Sequence, residues 1–223
     1  MVFVVKKRIL VALSIALLAA LASPEQLGAT ESDEYNADSL AKGEIIVDTA
    51  ERETQTHEKM RFVTGKILVS ESPEKVWAVI TNPYEFEAKI CPRMHNVKVL
   101  LARQDKSVIS CTVDTVRFFP QINYRVESTY SPCSRIDFRR IGGMLREFRG
   151  SWLVRPLSGG KATELEYSMF IDPGFPVPQW IIREAIKVEL PRMLKGVRNR
   201  VTEQRDKSHL ERRSILASRL HAS

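Results

Sequence analysis

The sequence predicts an α+β domain in which a curved antiparallel sheet of about seven strands wraps around a long C-terminal helix, with two short helices after the first strand. Three observations carry that expectation. Between Met94 and Asp172 apolar and polar residues alternate in six short runs separated by turn residues. After Pro178 the apolar spacing changes to three and four residues and holds that period to Val201. This stripe is the one long helical stripe in the chain, so the apolar face of the sheet is the surface left to bury it. At 223 residues, 43% hydrophobic and 27% charged, the chain has the composition of an ordinary folded domain.

Taken in order, Lys6, Lys7 and Arg8 precede an apolar run from Ile9 to Ala22, and Ala20-Leu21-Ala22 supplies a small-x-small cleavage pattern. Residues 1–22 therefore read as a secretory signal peptide. An uncleaved anchor is the weaker reading, because a membrane-spanning helix needs roughly 20 apolar residues. The expected location is outside the cytoplasm, in a bacterial periplasm or cell envelope. Residues 23–42 are polar, with Pro24 and Gly28, and lack a sustained apolar period; they read as a linker. The folded part is expected to span residues 43–203. Gly43 to Thr49 and Arg61 to Ser70 are β-rich and flank a charged segment, Glu51 to Lys59. Ser72-Pro73-Glu74 reads as an N-cap, a proline at the first helical position and a first-turn acid, ahead of Val76, Trp77, Val79 and Ile80 at helical spacing. Asn82-Pro83 ends that helix, and a second short one follows before Pro92.

The clearest strand is Ile122 to Tyr130, with Ile122, Tyr124, Val126 and Tyr130 on one face. Ile136 and Phe138 repeat the pattern, then Phe148, Trp152 and Val154, then Leu165, Tyr167, Met169 and Ile171. Gly142-Gly143 and Gly159-Gly160 read as hairpin turns between these runs. Ile182, Ile186, Leu190, Met193, Leu194, Val197 and Val201 predict a helix of about 25 residues, Pro178 to Glu203, with a bend at Pro191. Residues 204–223 form a charged tail to which the sequence gives no firm structure.

Charge and motifs narrow the chemistry. The formal charge of +7 falls to +4 without the signal peptide, and residues 192–223 hold nine Lys/Arg against three acids. Such a basic end suits either a solvated helix or contact with anionic lipid. Nucleic acid is excluded by the absence of basic residues interleaved with aromatics. Four histidines and three cysteines (Cys91, Cys111, Cys133) lack zinc or redox spacing, and no phosphate-cradling glycine loop or nucleophile elbow is present. No metal and no cofactor is predicted. Of the strand carboxylates, alternation puts Glu164 and Glu166 on the solvent face; Asp114 alone is ambiguous.

Ser72-Pro-Glu-Lys-Val-Trp-Ala-Val-Ile80, Pro92-Arg93-Met94 with Val97-Lys-Val-Leu100, Gly150-Ser-Trp152, Asp172-Pro-Gly174, Pro178-Gln-Trp180 and Leu190-Pro-Arg-Met-Leu194 together resemble the START-like (SRPBCC, Bet v 1-like) superfamily. The resemblance is to its polyketide cyclase/dehydrase and coenzyme-Q-binding START branch, and implies a helix-grip fold. No catalytic signature of that family transfers to a residue here. The inward sheet face and helix start nominate Tyr124, Phe138, Trp152, Tyr167, Met169, Trp180 and Ile181 as pocket residues. Three functions follow. The first is an exported binding protein that shelters a lipid, quinone or other apolar small molecule between sheet and helix. The second, which the resemblance implies, is a cyclase or dehydratase acting on a polyketide-like substrate through Tyr124, Tyr167 or Asp114. The third is a non-catalytic interaction protein of the cell envelope, held to membrane or partner by its basic tail.

Overall fold

The structure is a computed structural model, and it describes residues 31–53, 59–115 and 121–220. The predicted signal peptide and residues 23–30 of the predicted linker lie outside them. The sheet, the short helices and the long helix all belong to the unit Asp38–Ser223.

Helix α1, Glu31–Ala41, occupies part of the predicted linker, and Ser39 and Leu40 at its end are buried. The weak apolar period that hid it follows from its composition, since Tyr35, Ala37, Leu40 and Ala41 are its only apolar or aromatic residues. Strands β1 (Ile46–Glu53) and β2 (Lys59–Val69) pair antiparallel. Part of the charged segment expected to link them is strand, because Glu51 faces Arg61 across the ladder and pairs with it at 3.5 Å and with Lys59 at 3.8 Å. Helices α2 (Pro73–Ile80) and α3 (Pro83–Glu85), with a π-helical segment Phe86–Ile90, follow the second strand rather than the first. Ser72 sits at the N-cap of α2, but its side chain makes no cap bond; the Asn82 side chain does cap α3, accepting from the Tyr84 N–H at 3.2 Å.

Strands β3 (Met94–Ala102), β4 (Lys106–Val113), β5 (Ile122–Ser131), β6 (Arg135–Gly143), β7 (Glu147–Leu157) and β8 (Ala162–Asp172) form the meander read from the sequence. The sheet has eight strands in the order β1-β2-β8-β7-β6-β5-β4-β3, one more than expected, and every pairing is antiparallel. Gly159-Gly160 lies in the β7–β8 turn as expected, whereas Gly142-Gly143 is the end of β6, paired with Arg125 and Tyr124, and the turn comes after it.

Helix α4, Gln179–Leu220, is 42 residues long and continues through the residues expected to be an unstructured tail. The i,i+3 ion pair of Arg200 with Glu203 supports the helix where the buried stripe ends at Val201. Its buried stripe is the predicted one: Ile186, Leu190, Leu194, Val197 and Val201 are all at most 7% exposed. The stripe packs over β2, with lesser contact to β1 and β8, and against α2 and Phe86–Ile90. Gly65 of β2 makes that approach possible, since a Cβ there would stand 2.7 Å from a Leu194 methyl carbon. Among the described residues no helix is long and apolar enough to cross a membrane.

Candidate functional site

The inward faces of β4 to β8 carry more aromatic surface than α4 can cover. Trp152 and Tyr167 are cross-strand partners on β7 and β8, and their rings stack with centroids 4.0 Å apart at 26°. Phe138 of β6 reaches across β7 to stack on Tyr167 at 5.6 Å. It can do so because β7 has Gly150 beneath it, where a Cβ would lie 2.5 Å from the Phe138 ring. Phe148 joins Phe138 to Tyr124 at 5.0 and 5.3 Å, completing a continuous aromatic floor.

Above this floor lies a cavity of about 120 Å³. Ile80, Thr81, Pro83 and Phe86 roof it, Met193 of α4 closes one side, and Met94, Ile109, Val126, Ser128, Tyr130 and Ile136 complete the walls. Phe86 meets Trp152 edge-on at 6.1 Å, so roof and floor touch at one point. Glu85, just before Phe86, is tied to α4: Arg200 Nε donates to its Oε2 at 2.5 Å, and Gln204 Nε2 donates to its Oε1 at 3.0 Å. The Arg200 guanidinium holds the Glu85 carboxyl below the usual carboxylate range, and the roof is pinned to the helix by charge.

The polar groups of the cavity are hydroxyls. Burial raises the phenols of Tyr124 and Tyr167 well above their ordinary value, so both stay neutral and can donate a hydrogen bond. Cys111, opposite Tyr124 on β4, is pushed by burial to about 11 and is an inert thiol at neutral pH. The three cysteines are free. Asp114 lies outside the cavity. Its carboxylate accepts from Gln121 Nε2 at 2.7 Å and meets His95 Nε2 at 3.0 Å, and the His95 contact lowers its pKa. That position removes Asp114 from the carbonyl-polarising role considered for it. Glu166, expected to be solvated, is buried on the outer face, covered by Arg155 at 3.1 Å, Arg52 at 3.7 Å and Lys66 at 3.8 Å. The long stems of its ion-pair partners do the covering.

Of the seven nominated residues, Tyr124, Phe138, Trp152 and Tyr167 line the cavity together. Met169 packs against the core beside it, paired with Gly150 and Val63. Trp180 and Ile181 are exposed, at 61% and 41%. They precede the partly buried Ile182 by two and one positions, and at about 100° per residue that turns them off the inward stripe. Phe86, Met94 and Met193 were not nominated. Met193 belongs to the predicted stripe, but Phe86 sits on a segment too short to show a period.

A family model described as polyketide cyclase/dehydrase and lipid transport matches residues 69–198, which hold every wall of the cavity. No curated protein matches the chain by sequence. Among solved structures, the chain is similar to a STAR-related lipid transfer protein from Xanthomonas axonopodis, with 16% identity, 71% of this chain and 93% of that chain covered, and a TM-score of 0.59. It is also similar to the Zhui aromatase/cyclase from Streptomyces sp. R1128, at 17% identity, 65% and 94% coverage and a TM-score of 0.56. Human STARD10 aligns at 10% identity over 83% of this chain and 86% of that chain, with a TM-score of 0.57. These likenesses speak to the fold, an open antiparallel sheet gripping a C-terminal helix, and the family match covers more than half of the chain. The protein belongs to the polyketide cyclase/dehydrase and lipid transport family.

Proposed function

We propose that this is an exported binding protein that shelters an apolar small molecule, lipid or quinone-like, over the aromatic floor of the sheet. The observation that carries the reading is the cavity of about 120 Å³ walled by stacked rings and aliphatic side chains, in the part of the sheet that α4 leaves uncovered. Apolar cavities of about 150 Å³ stay dry and take up a benzene-sized guest, so the space suits one ring or a short chain. The neutral phenol of Tyr167 is a donor for a carbonyl such as a quinone oxygen, while that of Tyr124 is hydrogen-bonded to Cys111. The structural neighbours include a protein whose name says that it transfers lipid, beside an aromatase/cyclase. Catalysis has less to rest on: Asp114, the one carboxylate considered for it, is outside the cavity, which leaves that chemistry to the buried phenols alone.

Export rests on Lys6-Lys7-Arg8, the apolar run to Ala22 and Ala20-Leu21-Ala22. Expression in a Gram-negative host should yield a periplasmic product whose N-terminus is Ser23; a cytoplasmic product beginning at Met1 would refute this part. Contact of the basic end of α4 with anionic membrane belongs to the same proposal, and vesicle sedimentation with and without residues 207–223 tests it. For the guest, the purified protein is extracted with organic solvent and the extract analysed by mass spectrometry, and quenching of tryptophan fluorescence by short-chain quinones is titrated. Recovery of an apolar molecule, or saturable quenching that involves Trp152, is expected. No guest and no uptake of quinones or fatty acids would sink the reading.

A further inference from the structure

A second pocket of about 310 Å³ lies against the first and shares five wall residues with it: Thr81, Pro83, Ser107, Ile109 and Tyr130. The two spaces differ in chemistry. The inner one is aromatic and aliphatic, whereas the outer one adds Arg103 and Gln104 from the β3–β4 turn, both exposed. Between them stands a polar sill, the hydroxyls of Ser107 and Tyr130, whose oxygens are 2.5 Å apart. Trp77 braces Tyr130 from outside, edge-on at 6.1 Å, and its carbonyl accepts the Thr81 hydroxyl at 2.7 Å.

The charges around the outer pocket are unevenly matched. Lys106, next along β4, is engaged by Glu127 at 2.5 Å. Arg103 has no carboxylate within 4 Å among the described residues, although Asp105 shares its turn. A guanidinium beside an amide, open to solvent and next to an apolar cavity, is suited to a planar monoanion.

We infer that the guest is an amphiphilic carboxylate: its apolar body lies on the aromatic floor, its carboxylate sits in the outer pocket on Arg103 and Gln104, and it crosses the Ser107–Tyr130 sill. This rests on the apolar-guest reading above and adds to it the class of head group. A single unpaired cation favours one negative charge over a phosphodiester with a second polar substituent, and the combined space favours a single short chain.

The test is calorimetric titration of the full mature protein with decanoate and with 1-decanol, repeated on Arg103→Gln and on Ser128→Leu, whose added side chain fills the inner cavity. Decanoate should bind the wild type about tenfold more tightly than decanol. Arg103→Gln should bring the two to equal affinity by weakening decanoate alone, and Ser128→Leu should abolish both. Equal affinities in the wild type, or a preference that survives Arg103→Gln, would overturn the head-group assignment and leave the cavity reading standing. Decanoate binding that survives Ser128→Leu would put the tail elsewhere and overturn the inference. Binding of neither ligand by the wild type would defeat both readings together.

Discussion

One sheet serves two halves of this molecule differently. Over β1, β2 and β8 the long helix fills the concavity completely: Val63, Ile67, Leu165, Leu194 and Val197 have no exposed surface at all. Over β4 to β7, and at Tyr167 of β8, the helix contributes Met193, and the roof is made by α2, α3 and Phe86–Ile90. There Tyr124, Phe138, Phe148, Trp152 and Tyr167 are deep in the fold yet keep 6–9% of their surface. That residue of exposure is the cavity. A single helix cannot cover a curved eight-stranded sheet, so the half it grips becomes core and the half it misses becomes a container.

The sharpest way to break this comparison is to cut equal volume from each half. Leu194→Ala removes a fully buried side chain from the filled half, where neighbours on β2 and α4 cannot collapse, and should cost about 3–5 kcal/mol in urea unfolding. Ile109→Ala, on the wall of the cavity, enlarges a space that already exists and should cost roughly 1–2 kcal/mol. Equal losses would mean that the two halves are packed alike.

Gly150 marks the place where the roomy half is tightest. A Cβ there would stand 2.0 Å from the Ser168 carbonyl oxygen and 2.5 Å from the Phe138 ring. Gly150→Ala should therefore push β7 from β8 and cost roughly 2–3 kcal/mol, with a change in near-ultraviolet circular dichroism as the stack of Phe138, Tyr167 and Trp152 loosens. A variant as stable as wild type with an unchanged aromatic signal would show that the floor does not depend on this residue.

How much of this was legible follows from the same division. Period is strong where elements are long, so the six-strand meander and the stripe from Ile186 to Val201 could be read directly. Alternation also placed Tyr124, Phe138, Trp152 and Tyr167 inward, and these became the floor. The two short helices of the roof were expected, but not which of their side chains meet the sheet, because α3 and Phe86–Ile90 together span eight residues, too few for a period, and their position depends on the tertiary pair of Glu85 with Arg200. Trp180 and Ile181 were misplaced because the start of α4 was judged by residue type rather than by phase from Ile182. Nor does any local pattern tell a filled concavity from an open one; that depends on which strands the helix crosses.

The roof itself can be loosened through charge. Arg200→Gln leaves Glu85 with one neutral partner and should cost about 1–2 kcal/mol at pH 7. The sign of its pH dependence follows from the carboxyl. Folding lowers the pKa of Glu85 from an ordinary 4.5, so its contribution to stability is present above that value and is lost as pH falls through the lower, folded one. The gap between wild type and Arg200→Gln, followed by thermal unfolding, should therefore be widest at neutral pH and narrow below about pH 4.5. A gap that stays constant down to pH 3 would detach the Glu85 charge from the roof.

The smallest expected effect lies at the junction of the two pockets. Tyr130→Phe and Ser107→Ala each delete one side of the same hydroxyl pair, and each should cost about 1 kcal/mol. Because one bond is at stake, the double variant should cost little more than either single change, a coupling close to the full value of the bond. Its consequence for the comparison is kinetic. With the hydroxyl pair removed, the polar barrier between the inner cavity and the outer pocket is gone, and the association of an apolar probe measured by stopped-flow tryptophan quenching should speed up while stability falls by only that about 1 kcal/mol. Additive losses, or an association rate that does not respond, would place the route to the cavity elsewhere, with the loosening of the roof at Phe86 as the alternative to follow with the same probe in Arg200→Gln.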